Sequence, residues 1–236
     1  MTNRQARIAV LASGGGSNLQ AILDYFDALG DARAGDVVLV ASERPDAGAQ
    51  ARAQRRGVPT ALLPTAEQPD RRTLAALLSA ERIDLVVLAG YLRLVPRDVV
   101  RAFHDRIVNV HPGLLPAFGG KGMYGQRVHE AVLRAGVAVT GVTVHLVDDE
   151  YDHGRVLAQW PVPVLPGDDA AALAARVLRV EHALYPRVIQ ALAAGDGARI
   201  AGNREPTGAE PYFLLEPDAG VFAASMNRAL GHTDHD

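Results

Sequence analysis

Short β-branched segments alternate with amphipathic helical patterns through the first half of this 236-residue chain, and this alternation restricts its fold more than any other feature. Apolar residues at helical spacing follow each short apolar run, which is typical of βαβ units and a mostly parallel sheet. We therefore predict an α/β fold with helices on both faces of the sheet. The predicted strands are 8–12, 37–41, 60–63, 85–88 and 107–110, and the helices between them are 18–28, 45–56, 71–80 (capped by Asp70) and 96–103.

The pattern changes after Asn109. A Gly- and Pro-rich loop at 112–125 leads to a short helix at 128–134, and two strands at 139–147 and 156–164 then flank an acidic loop. A long helix at 170–194 closes the pattern, and the residues beyond it are rich in Gly, Pro and Asp. We predict one domain over residues 1–200, with halves at 1–108 and 109–200, and a C-terminal extension at 201–236.

Composition narrows the classes of function. The absence of cysteine excludes disulfides, thiolate nucleophiles and cysteine-based zinc sites. A formal net charge of −3 gives no indication of a nucleic-acid partner. The polar start of the chain is not typical of a signal peptide, and no apolar run approaches the roughly 20 residues of a membrane helix. We expect a cytoplasmic protein that binds small molecules, without nucleic-acid or membrane partners, as a monomer or homodimer.

A glycine loop, Ser13 to Asn18, lies between the first predicted strand and helix. Glycines allow close approach of an anion, and the free N–H groups of a helix start bind phosphate; the alternative is a tight turn without a ligand. Leu19 stands where a dinucleotide fingerprint needs its third glycine, and the Gly-Lys-Ser/Thr of a Walker loop is absent. The loop therefore favours a monophosphate, with Ser17 and Asn18 as further donors and candidate caps of the helix.

Asn109 and His111 lie at the carboxyl end of the fifth predicted strand, where open α/β sheets bind ligands. Residues two apart face the same side of a strand. An amide donor beside an imidazole suits a developing oxyanion and a proton transfer. The alternative is a strand-end histidine satisfied by local backbone.

Several carboxylates and two histidines fall at 145–153, between the last two predicted strands. One carboxylate near His111 could hold its ring and raise its pKa. A divalent metal site is the rival interpretation, but the spacing matches no known ligand motif, so we predict no metal. Taken alone, the segment could also be a solvated acidic turn.

Together these segments resemble the phosphoribosylglycinamide formyltransferase family, the folate-dependent formyl transferases of purine synthesis. The resemblance runs from about Arg7 to Ala194, and its order and spacing are more specific than any single motif. Gly113 departs from the pattern, because the family usually has Ser after His-Pro. The matching segments are IAVLASGGGSNLQ at 8–20, LAGYLRLV at 88–95, NVHP at 109–112, GVTVH at 141–145, DDEYDHG at 148–154 and VEHALYP at 180–186.

The resemblance implies a Rossmann-like formyltransferase fold, with a phosphate-binding half at 1–108 and a folate and catalytic half at 109–200. It also implies 10-formyltetrahydrofolate as co-substrate and phosphoribosylglycinamide as acceptor. The implied catalytic residues are Asn109, a protonated His111, and Asp152, which would raise the pKa of His111; His145 would be an orienting partner. The implied phosphate loop is Gly16, Ser17 and Asn18, the ribose contact is Glu181, and the pterin-recognising residues are Leu92, Arg93, Leu94, Val95, Asp148, Asp149, Glu150 and Tyr151.

Three alternatives remain at this point. A formyltetrahydrofolate hydrolase would share the catalytic residues but usually carries an N-terminal regulatory domain. Another formyl-folate transferase, such as one acting on tRNA, usually carries an added basic domain. A non-catalytic phosphate-binding module would keep the glycine loop without needing Asn109, His111 and Asp152 together.

Overall fold

The computed structural model describes residues 4–195, which form one seven-stranded sheet with the order β3-β2-β1-β4-β5-β6-β7. The first five strands pair in parallel, and β6 and β7 are antiparallel, which confirms the predicted mostly parallel α/β fold. The strands are β1 (Ala6–Leu11), β2 (Gly35–Ser42), β3 (Thr60–Leu62), β4 (Leu85–Leu88), β5 (Ile107–His111), β6 (Val139–Leu146) and β7 (Val156–Pro163).

Six α-helices connect or flank these strands in the described part of the chain. Each lies where a helical pattern was predicted. They are α1 (Ser17–Leu29), α2 (Gly48–Arg55), α3 (Leu74–Ala80), α4 (Arg97–Ala102), α5 (Gln126–Ala135) and α6 (Ala170–Ala193). Within residues 4–195 no helix has the length and apolar content to cross a bilayer. The predicted extension at 201–236 lies outside the described residues.

The predicted N-cap of α3 was wrong. Asp70 does not cap α3; the helix begins at Leu74, and Thr73 Oγ1 accepts a hydrogen bond from the Ala76 N–H at 3.3 Å. Both residue types are good N-caps, so local preference alone could not choose between them. The choice agrees with packing, because Leu74 is the first helix residue that is buried against the sheet.

The core has two layers because β-strand side chains alternate between faces. On β1, Ile8 and Val10 pack with α1 and α6, whereas Ala9 and Leu11 pack with α3 and α4 on the other face. Burial on both faces explains why β1 and β4 read as continuous apolar runs.

Tyr185 of α6 connects the helix layer to the centre of the sheet. Its side chain is fully buried, and its hydroxyl lies 3.0 Å from the carbonyl oxygen of Leu88 and 2.9 Å from that of Val108. These carbonyls belong to β4 and β5, one at the end of its strand and the other just before Asn109. The fold thus fixes the two strand ends that border the cleft described next.

Candidate active site

A cleft of about 820 Å³ opens at the carboxyl ends of β4 and β5. This is the edge at which open parallel sheets bind ligands, and the volume suits a molecule of drug size. The cleft brings together residues that lie far apart in sequence. Of the predicted site residues, those lining the cleft are Asn18, Leu92, Arg93, Leu94, Val95, Asn109, His111, His145, Glu150, Tyr151, Asp152 and Glu181.

Asn109 and His145 face each other on the neighbouring strands β5 and β6. Asn109 Nδ2 lies 3.0 Å from His145 Nε2, and His145 Nδ1 lies 2.7 Å from the carbonyl oxygen of Leu146. The Leu146 carbonyl can only accept, so a proton is assigned to Nδ1 of His145. His145 therefore orients the Asn109 amide, in the supporting position predicted for it.

His111 is buried with an acceptor near each ring nitrogen. Its Nδ1 lies 3.5 Å from Asp152 Oδ2, and its Nε2 lies 2.9 Å from the carbonyl oxygen of Phe118. Asp152 is placed by three groups: the His111 ring, His145 Nε2 at 3.6 Å from Oδ1, and the Gly120 N–H, which donates to Oδ2 at 2.9 Å. The three predicted catalytic side chains thus meet at one wall of the cleft.

Asp152 raises the pKa of His111, as predicted, but the net shift is downward, against the protonated form that the resemblance implied. Burial lowers the pKa of His111, and this effect exceeds the raising effects of the Asp152 carboxylate and the Phe118 carbonyl. For Asp152, burial acts to raise the pKa, but hydrogen bonding from His145, the charge of His111 and the Gly120 N–H together lower it. The free protein therefore holds an ionised Asp152 beside a His111 that favours its neutral form, although both ring nitrogens face acceptors suited to the imidazolium.

The glycine loop has the geometry of a tight entry into α1. Gly16 is the N-cap residue with φ of 75°, a left-handed conformation that favours glycine, and no side chain caps the helix. The prediction that Ser17 or Asn18 caps α1 was wrong, because Ser17 already begins the helix. The first N–H groups of α1 are left available for an anion.

Asn18 instead contacts the predicted ribose acid. Its Nδ2 donates to Glu181 Oε2 at 2.6 Å, and its Oδ1 is buried with no partner in the described structure. Burial raises the pKa of Glu181 to about 7, and the hydrogen bond from Asn18 partly opposes this effect. Asn18 thus links the glycine loop to the acid on α6.

Both predicted pterin-binding segments contribute residues to the lining of the cleft. Leu92 to Val95 follow β4, and the Leu92 N–H donates to Ser13 Oγ at 3.1 Å. Glu150 and Tyr151 also line the cleft, whereas Asp148 and Asp149 are outside the lining. Asp148 instead accepts from the Glu150 N–H and lies 2.8 Å from His153 Nδ1.

Sequence reasoning missed the backbone of 118–120 and His129. Phe118 and Gly120 act through main-chain atoms, which no side-chain motif can signal. His129 is buried on α5, lines the cleft, and has a pKa lowered to about 4, first by burial and then by the charge of His111. No group of three or more His, Asp or Glu residues in the described chain is arranged to hold a metal ion.

The formyl transferase family profile matches residues 6–189, which include every residue of this cleft. The chain belongs to the formyl transferase family. A phosphoribosylglycinamide formyltransferase of Mycobacterium tuberculosis is 41% identical over 207 residues, covering 86% of this chain and 92% of the relative. The crystal structure of a glycinamide ribonucleotide transformylase from Geobacillus kaustophilus is 41% identical, with a TM-score of 0.71, covering 80% of this chain and all (100%) of that one.

A plant member of the family extends well beyond this chain. The chloroplastic phosphoribosylglycinamide formyltransferase of Vigna unguiculata is 44% identical over 196 residues. The alignment covers 81% of this chain but 62% of the relative's length. The comparisons confirm the family resemblance deduced from the sequence and the formyltransferase fold.

Proposed function

We propose that this protein transfers the formyl group of 10-formyltetrahydrofolate to the amine of 5'-phosphoribosylglycinamide, a step of purine synthesis. The observation that carries the proposal is the convergence of Asn109, His111 and Asp152 in one cleft, whose lining also includes the hydrogen-bonded pair Asn18 and Glu181. The names of the similar proteins support the same choice of substrates. We further propose that the chain acts in the cytoplasm and needs no metal.

In the proposed complex, the glycinamide substrate and the folate ring would contact different residues. A phosphate would accept from the N–H groups at the start of α1, and Glu181 would accept from the ribose hydroxyls. The backbone at 92–95 and 150–151 would bind the folate ring. The amine and the formyl carbon then meet beside Asn109.

The amine nitrogen attacks the formyl carbon, and negative charge develops on the formyl oxygen. The oriented Nδ2 of Asn109 and an N–H of His111 donate to that oxygen. A new C–N bond forms, the bond from the formyl carbon to N10 breaks, and the proton lost by the amine ends on N10. Neutral His111 takes up the proton lost by the amine, Asp152 stabilises the resulting imidazolium, and the imidazolium gives the proton to N10.

Asp152→Asn tests the proposal directly. The asparagine keeps an oxygen that accepts from the Gly120 N–H but loses the negative charge beside His111. In a formyl-transfer assay we expect kcat to fall at least about 100-fold, the usual contribution of general acid–base catalysis. A variant with the wild-type rate would show that the site is wrong.

The same assay distinguishes the runner-up activity. A formyltetrahydrofolate hydrolase would consume the folate without the glycinamide substrate, with water as acceptor. Consumption that needs the glycinamide substrate supports the transferase. A wild-type protein that binds phosphate and turns over in neither condition would favour a non-catalytic module.

A further inference from the structure

Helix α2 packs directly against the glycine loop. The Ala49 N–H donates to the carbonyl oxygen of Gly14 at 3.1 Å. A Cβ on Gly16 would come within 2.6 Å of the Ala49 Cα, and a Cβ on Gly48 would come within 3.0 Å of the Gly15 oxygen. Because the backbones approach so closely, the start of α2 fixes where its later residues lie relative to the loop.

Arg52 lies one turn beyond Gly48, on the face of α2 that meets the loop. Its Nε donates to the carbonyl oxygen of Gly15 at 2.8 Å, and its Nη1 donates to Gln20 Oε1 at 3.3 Å. A guanidinium has five N–H groups, so further donors remain beside the loop.

In the described part of the chain, the charge of Arg52 is not part of a direct ion pair, although it acts together with Arg56 on the Asp24 carboxylate. Within residues 4–195 no carboxylate lies at ion-pairing distance from it, whereas Arg56, one turn further along, pairs with Asp24 and Asp27. His182 lies close enough for the Arg52 charge to act with burial in lowering its pKa, so His182 favours its neutral form. Arg52 thus places a positively charged guanidinium, without a direct ion pair among the described residues, in contact with the glycine loop.

We propose that Arg52 binds the phosphate of the glycinamide substrate and supplies the charge of that subsite. The assignment rests on the proposed function for the identity of the substrate. It adds a residue that lies outside the glycine loop and is not among the site residues implied by the family resemblance. Loop N–H groups carry only partial charges, and a phosphate monoester is close to a dianion at neutral pH. Arg52 would compensate part of that charge through charge-assisted hydrogen bonds.

Arg52→Ala, measured on two substrates, tests the assignment. The substrates are phosphoribosylglycinamide and its dephosphorylated riboside. We expect the variant to raise KM for the phosphorylated substrate at least about tenfold with kcat within about twofold, and to leave kcat/KM for the riboside unchanged. Arg55→Ala is the matched control, because Arg55 is exposed on the same helix.

Two results would overturn the assignment. One is an Arg52→Ala variant that behaves like Arg55→Ala on the phosphorylated substrate. The other is an equal loss on both substrates, which would mean that Arg52 only supports the shape of the loop.

A binding measurement separates this inference from the proposed function. Inorganic phosphate, compared with chloride at equal ionic strength, should raise Tm of the wild type and of Arg55→Ala but not of Arg52→Ala. If the wild type fails to transfer formyl groups yet shows this pattern, the proposed function fails and Arg52 stands as an anion-binding residue. If phosphate stabilises Arg52→Ala as strongly as the wild type, the inference is wrong even if the enzyme is active.

Discussion

The Nδ2 atom of Asn18 donates a hydrogen bond to Oε2 of Glu181 over 2.6 Å, between residues 163 positions apart in sequence. The acid is buried, and its pKa is raised to about 7. An acid with this pKa changes charge in the physiological pH range. The fraction of Glu181 that is ionised therefore depends on the hydrogen bond from Asn18. The pair therefore couples the glycine loop to the charge of the acid that is proposed to bind the ribose.

Asn18→Ala is expected to shift the acidic limb of the kcat/KM profile for the glycinamide substrate to higher pH by about one pH unit. The hydrogen bond from Asn18 lowers the pKa of Glu181, so its loss favours the protonated acid, which no longer accepts from ribose hydroxyls with both oxygens. At high pH the variant should approach the wild-type plateau. A lower plateau with an unchanged midpoint would show that Asn18 only shapes the loop.

Glu181→Gln should stabilise the folded protein at pH 8 while abolishing tight substrate binding. The folded pKa of Glu181 is raised from 4.5 to about 7, so its contribution to stability is full below pH 4.5 and is lost as the pH rises towards 7. At 1.36 kcal/mol per pKa unit the loss is up to about 3 kcal/mol. Urea unfolding should show this difference at pH 8 and almost none at pH 4.5; equal stabilities at both pH values would contradict it.

Gly113→Ala should lower kcat about tenfold with little change in KM. A Cβ at this position would lie 3.1 Å from Nε2 and 3.2 Å from Cδ2 of His111, so the ring must shift by a few tenths of an ångström. Such displacements of a catalytic group reduce rate more than binding. Steady-state kinetics measure the effect. Gly120→Ala is not a suitable control, because the φ of Gly120 is 94° and an alanine there would strain the backbone. Ala117→Gly, an exposed change in the same loop, should leave kcat unchanged.

Tyr185→Phe should lower the free energy of unfolding by about 1–3 kcal/mol. The hydroxyl is buried against the carbonyl oxygens of Leu88 and Val108, and its removal leaves these acceptors without that partner while keeping the ring. Denaturant unfolding at pH 7 measures the change. Tyr124→Phe, at an exposed tyrosine, is the control and should be neutral; an equally neutral Tyr185→Phe would refute the argument.

The sequence by itself determined the fold class and predicted twelve of the residues that line the cleft. Every predicted strand and helix in the described part has a counterpart, because burial on one face or on both produces periodic apolar patterns that local sequence records. Asn109 and His111 were found because a two-residue spacing on one strand guarantees a shared face. Asp152 and Glu181 came from the family resemblance, since no local rule connects them to β5 or to the glycine loop.

Only the tertiary structure decided the partners and the charges. Burial of the His111 ring lowers its pKa by more than Asp152 raises it. The Asn18 side chain donates to Glu181 and does not cap α1. Arg52 contacts the glycine loop across 37 positions of sequence. These features depend on desolvation and on contacts between segments that are distant in sequence. Both arise only when the chain is packed, so no periodic pattern in the sequence predicts them.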